Sequence, residues 1–271
     1  MGDAIFRREG DAFVPTPFAG SPWTRGALHG GPPAGLLTYA VEQHVGDAEM
    51  QVARLTIDLF RAAPMEPLRV RTETVRHGRR LRAVQASLVA GGVEVTRASA
   101  LLLRRSDAPV GDDKHPPPPG PEGYPTQRGI ARQPRNEGAE RPGRYLEGFH
   151  TTIETRWVSE PGEPPVAWLR IPMPLIEGVE TSPAMRAAAL SDFGNALANQ
   201  VGNASARRLS YINADITLYL HRDPQGDWLC LSPDHRDETE GVGLVEAIWH
   251  DTAGRYARSV QARLANPRAS R

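Results

Sequence analysis

Three polar side chains stand out when two stretches of the chain are laid side by side. "ARLTIDLFR" runs from Ala53 to Arg61 and "ADITLYLHR" from Ala214 to Arg222. Both alternate apolar and polar residues and end in Arg, the pattern of a strand. The offset that aligns Ala53 with Ala214 also sets Asp192 against Gly31, Asn213 against Val52 and Gln261 against Ala100. The second copy has a carboxylate and two carboxamides where the first has small or apolar residues. Carboxamides both donate and accept hydrogen bonds, so such a set could hold a water. Asp192 lies on a helical stripe with Met185, Ala188, Ala189, Ala196 and Gln200. A carboxylate there must find donors or be protonated, so a structural Asp satisfied by backbone donors is the competing reading.

Other reactive side chains read as structure. Cys230 is the only cysteine, which excludes an intrachain disulfide and a cysteine-based metal site. It falls in a strand with no base beside it and reads as core. No G-x-S-x-G elbow occurs. "DHRDE", Asp234 to Glu238, has acidic and His ligand types, but its spacing matches no standard metal site and it reads as a solvated loop. His29, before "GGPP", reads as a turn or cap histidine. His221 and Arg222 end a strand and are expected at solvent or a subunit contact.

Apolar residues make up 39% and charged residues 24% of 271, an ordinary globular balance. Formal net charge is zero, which argues against nucleic acid as the main partner. Lys114 is the single lysine among many arginines, a compositional bias rather than a polyanion surface. No run is long enough to span a membrane, and the N-terminus lacks the apolar core of a signal peptide. A cytoplasmic protein is expected.

The elements that must position the polar set come in two rounds. "HGGPPAGLLTYAVEQHVG" reads as a turn entering a helix, with Ala34, Leu37, Val41 and Val45 at helical spacing. Four strand-like segments follow: "QVARLTIDLFR", "LRVRTETVRHG", "RLRAVQASLVA" and "VEVTRASALLLRR". Residues 107–144, rich in Pro, Gly and charge, read as a linker. It separates an N-terminal unit, 1–106, from a C-terminal unit, 145–271. The second unit repeats the plan: a hairpin from "FHTTIETRWV" and "PVAWLRIPM", a helix over about 182–200 opened by Ser182-Pro183, and four more strands. The offset holds without a gap from the helix to the last strand. The class this predicts is α+β, each unit an antiparallel sheet wrapped around a central helix.

This order, with "WTRGALHGGPPAGLL", "LSDF", "INADITLYLHR" and "SVQARL", resembles the type II acyl-CoA thioesterase family of the thioesterase-like superfamily. The resemblance covers nearly the whole chain. It implies a tandem, or double, hotdog, acyl-CoA as substrate, no cofactor and no metal, and a homo-oligomer. It also implies that Asp192, Gln261 and Asn213 are catalytic. Asp192 would deprotonate a water that attacks the thioester carbonyl. Gln261 would hold that water or donate to the oxyanion, and Asn213 would be the third member. The family usually has Thr or Ser at the place of Asn213. Strand alternation sets Asn213 on the face opposite Ile216 and Leu218, so it reaches Asp192 only at a strand end or bulge.

The N-terminal unit is then degenerate, a source of packing and one wall of the channel. Three other readings compete. A non-catalytic acyl-CoA or lipid binder would keep the fold without turnover. A hotdog dehydratase or hydratase would want a His paired with the helix carboxylate. A protein–protein scaffold would leave Asp192 and Gln261 without purpose.

Overall fold

Pro32 and Pro33 enter a helix without cost because first-turn N–H groups have no intrahelical acceptor. That helix is α1 (Gly31–Val45), and Gly46, at φ 58°, closes it in the left-handed conformation glycine favours. Ala34, Leu37 and Val41 are buried, as their spacing predicts. The computed structural model describes residues 3–107, 117–131, 147–199 and 209–267.

Strands β1 (Phe6–Glu9) and β2 (Ala12–Pro15) precede α1. β3 (Met50–Asp58), β4 (Leu68–His77), β5 (Leu81–Ala90) and β6 (Val93–Arg104) follow it. The linker carries β7 (Gln127–Arg128), and the second unit opens with the single turn α2 (Phe149–Thr152), β8 (Glu154–Trp157) and β9 (Ala167–Arg170). Helices α3 (Pro183–Ser191) and α4 (Phe193–Ala198) come next. β10 (Leu209–Asn213), β11 (Asp215–Leu220), β12 (Leu229–Thr239), β13 (Val242–Asp251) and β14 (Gly254–Pro267) complete it. Strand β7 falls inside the Pro/Gly-rich stretch, whose 117–131 portion lies against the second unit. Pro119 O accepts from Trp168 Nε1 at 2.8 Å and Pro121 O from Arg156 Nη1 at 2.9 Å.

All fourteen strands join one antiparallel sheet. Its order is β1-β2-β4-β5-β6-β3-β11-β14-β13-β12-β9-β8-β7, with β10 also on β14. The two units meet where β3 pairs β11, and Thr56 there faces Thr217, its own counterpart in the repeat. A pseudo-twofold axis therefore passes through that pair. Both units slip register at the same place, at Ala53 between Val52 and Arg54 and at Ala214 between β10 and β11.

Two expectations for the second unit are corrected. The helix over about 182–200 is two helices, and Asp192 sits at their joint rather than within a continuous stripe. The two parts pack differently: α3 lies on α1, whereas α4 lies under β12, β13 and β14. Gln200 is outside the described residues. Ser182 caps α3 as predicted, its side chain accepting from Met185 N at 3.1 Å. Phe149 to Thr152, read as strand, form the turn α2 instead.

Helices α1 and α3 run antiparallel and very close. A Cβ on Gly31 would lie 2.4 Å from Ala189 O, and one on Gly35 would lie 3.2 Å from Ala189 Cβ and 3.3 Å from Met185 O. Only glycine lets the two backbones come this near. That approach brings the start of α1 to the end of α3, where Asp192 stands.

Candidate active site

Asp192 is buried, and its carboxylate is held from both units. Asn213 Nδ2 donates to Oδ1 at 2.5 Å. His29 Nδ1 lies 2.6 Å from Oδ2. The Gly31 N–H is 3.3 Å from that same Nδ1. With Nδ1 donating to the carboxylate it has no lone pair to offer, so this N–H serves Asp192 instead. Burial alone would raise the Asp192 pKa. The positive field and hydrogen bond of His29, with those of Asn213 and Gly31, outweigh it and hold the carboxyl below its ordinary range.

The route by which Asn213 arrives is the one strand alternation demanded. It is the last residue of β10, and the Ala214 bulge turns it off the face opposite Ile216 and Leu218. Asp215 Oδ1 replaces the ladder carbonyl that the bulge displaces, accepting from Ala262 N at 2.6 Å.

Gln261, on β14, is fully buried over the α3–α4 joint. Its Nε2 donates to Ser191 O at 3.1 Å, and a Cβ on Gly194 would lie 3.0 Å from its Oε1. Oε1 itself has no hydrogen-bond partner among the described residues. A buried acceptor left this way is costly, and it lies against Gly194, two residues past Asp192.

His29 is the site residue that sequence reading missed. Its backbone does what a turn histidine's would, the N–H bonding Ala19 O at 2.9 Å. Its ring, however, is packed by Phe193, Phe149 and His150, at centroid distances of 5.0, 5.5 and 6.1 Å. Burial, reinforced by the His29 charge, lowers His150 to about 4, so it stays neutral at ordinary pH. Gly30 is fitted to the same pair, because a Cβ there would lie 2.8 Å from Asp192 Oδ1. The signal in the sequence was a His immediately before a Gly-Gly helix start.

The remaining candidates lie elsewhere. Cys230 is buried, and burial raises its thiol pKa far above the ordinary value. "DHRDE" belongs to strand β12, not a loop, with exposed His235 paired to Asp237 at 2.6 Å. Arg222 is not a solvent-facing strand end. It forks onto buried Asp251 with contacts of 2.5 and 2.7 Å. Among the described residues no helix is long and apolar enough to cross a membrane.

The family model for the acyl-CoA thioesterase N-terminal domain matches residues 19–103, and that for the C-terminal domain matches residues 116–264. The chain belongs to the acyl-CoA thioesterase family. Among curated proteins none matches the sequence. Solved structures of similar fold include a protein of Novosphingobium aromaticivorans with a provisional thioesterase assignment. It is 20% identical over 97% of this chain and 99% of its own, with a TM-score of 0.73. The acyl-CoA thioesterase II of Mycobacterium marinum is 18% identical over 90% and 93%, with a TM-score of 0.64. A protein of unknown function with a hot dog fold from Alicyclobacillus acidocaldarius is 17% identical over 97% and 96%, with a TM-score of 0.67. At these identities the likeness establishes the fold. The thioesterase chain is a tandem hotdog of the α+β class, and its family chemistry is thioester hydrolysis.

Proposed function

We propose that His29, Asp192, Asn213 and Gln261 are the groups with which this thioesterase adds water to an acyl-CoA thioester, giving fatty acid and CoA. The observation that carries this reading is the carboxylate of Asp192. It is gripped by a side chain from each unit, beside a buried Gln261 Oε1 that has no partner among the described residues.

Gln261 Nε2 is committed to Ser191 O, so Oε1 is the group that accepts from the attacking water. Asp192 already receives three donors and is a weakened base. The form that reacts carries neutral His29, its Nδ1–H held by the carboxylate, and the water's proton passes to Nε2, as in hydrolytic triads. The water oxygen bonds the carbonyl carbon, the C–S bond breaks, and the thiolate leaves with the proton returned by the pair. Asn213 locks the carboxylate orientation, a task its amide performs in place of the family's hydroxyl. The same proposal takes the protein as a cytoplasmic homo-oligomer with no metal or cofactor in the reaction.

Thiol release from acyl-CoAs running from acetyl to palmitoyl tests this. The wild type is expected to turn over at least one of them, and folded Asp192→Asn to lose about 10²- to 10⁴-fold in kcat. Undiminished activity in that variant would remove Asp192 from the mechanism, and acyl-CoA bound without turnover would make the protein a binder. A second reading gains from the His29–Asp192 contact, since a hotdog hydratase wants such a pair. Hydration of an enoyl-CoA without thiol release would favour it.

A further inference from the structure

The repeat makes a second comparison possible, at the far end of α1. The turn between β4 and β5 carries Arg79 and Arg80, and the end of β6 carries Arg104, Arg105 and Ser106. These five residues line a cleft of about 410 Å³. Arg82 closes the base, donating to Val45 O at 3.1 Å and to Asp47 Oδ2 at 2.9 Å. Arg104 shares Asp47 at 2.7 Å and Arg105 pairs with Asp223. Five guanidinium groups thus meet two bonded carboxylates, in a chain with no net charge. Arg79 and Arg80 are exposed, and neither side chain has a partner among the described residues.

The fold does not require this charge. The backbone bond that builds the corner, Arg104 N to Arg80 O at 3.0 Å, recurs in the other unit as Ala265 N to Gly241 O at 2.8 Å. The residues at that second corner are Glu240, Gly241, Ala265 and Asn266. The same turn stands there without a single arginine.

We propose that the Arg79/Arg80/Arg104/Arg105 cleft is a binding site for a phosphate ester or pyrophosphate group. Clustered guanidinium groups suit phosphate oxygens through paired N–H donors. Arg104 and Arg105 are held by carboxylates as a fixed floor, and Arg79 and Arg80 are free to close over the ligand. The cleft lies one helix length from His29, about 22 Å along α1, so it is distinct from the water-activating groups. Two sources present this chemistry: the nucleotide end of the acyl-CoA substrate, if the proposed reaction holds, and a separate phosphorylated ligand.

Calorimetric titration of the full chain with inorganic pyrophosphate tests the site without needing turnover. The wild type and Asp192→Asn are expected to bind it, and the Arg79→Glu/Arg80→Glu variant to bind it at least about tenfold more weakly. These two side chains bear no structural bond, so the variant should fold. KM measurements then identify the source. A KM that rises for acyl-CoA but not for the corresponding acyl-pantetheine assigns the cleft to the substrate's nucleotide. Lost pyrophosphate binding with both KM values unmoved assigns it to a separate ligand. Wild type that fails to bind pyrophosphate at millimolar concentration, or charge reversal that leaves binding unchanged, overturns the proposal.

Discussion

The two units place different chemistry on the same frame. Where the second has Asp192, Asn213 and Gln261, the first has Gly31, Val52 and Ala100, all buried in equivalent places. Even the bulge that frees Asn213 recurs at Ala53, where it serves only Val52. The bulge therefore belongs to the architecture, and the side chain beside it decides whether the place is chemical. The reverse exchange occurs once. His29 comes from the first unit, and its counterpart in the second is Leu190. The unit lacking the carboxylate supplies the imidazole, so neither unit holds the proposed machinery alone.

Converting His29 to its counterpart tests that sharing most severely. In His29→Leu the carboxylate of Asp192 stays buried without its imidazole partner, and its pKa should rise. We expect kcat to fall about 10²- to 10⁴-fold, with the acid limb of the pH–rate profile displaced. An active variant with an unchanged profile would return the chemistry to the second unit alone. Gln261→Ala, the conversion to Ala100, should have the next largest effect, a loss of about 10- to 100-fold in kcat. Its KM should hardly change, because Oε1 is assigned to the water rather than to the substrate. A matched rise in KM would instead place Gln261 among the substrate contacts.

How far this was readable from sequence follows from what each feature depends on. The strands and their repeat were legible because alternation and turn residues are local, and register is preserved over the whole offset. Asp192 was legible as a carboxylate on an apolar stripe, and Asn213 as a residue that needs a bulge. His29 was not, because its role depends on α1 and α3 approaching across two units more than 150 residues apart in the chain. Glycines at 30, 31 and 35 permit that approach, and a glycine in sequence carries no record of what it is close to. The break at Asp192 was equally hidden, since its helical dihedrals, φ −60° and ψ −23°, leave the periodicity intact.

The α1–α3 pair carries a carboxyl at each end, Asp192 buried and Glu42 half-buried, and the two should respond to pH in opposite senses. Glu42, at the far end, accepts from Ser182 Oγ at 3.0 and 2.8 Å. Burial pushes its pKa up to about 7, the Ser182 hydrogen bond opposes this, and the charge of Asp223 adds to it. A raised folded value means full stability below the ordinary 4.5, lost as pH rises through about 7. Glu42→Gln should therefore match the wild type near pH 4 and exceed it at pH 8 by about 1–3 kcal/mol. Asp192, with its pKa lowered, has the opposite sign: its contribution is present above the ordinary 3.8 and is lost as pH falls through its folded value. Denaturant midpoints across pH would separate the two ends, and an alkaline arm unchanged by Glu42→Gln would show that Glu42 ionises freely.

The smallest effect belongs at the axis itself. Thr217 Oγ1 donates to Thr56 Oγ1 at 3.4 Å, a long bond between half-buried counterparts. Thr217 also hydrogen-bonds the Asp215 carboxylate, so Thr56→Val should cost about 0.5 kcal/mol or less and Thr217→Val somewhat more. The double variant should cost no more than Thr217→Val alone, since the Thr56 hydroxyl without Thr217 has nothing to bond across the seam. Additive losses would show that the two hydroxyls do not bond each other, and that the pseudo-twofold seen in the backbone does not extend to the side chains that lie on it.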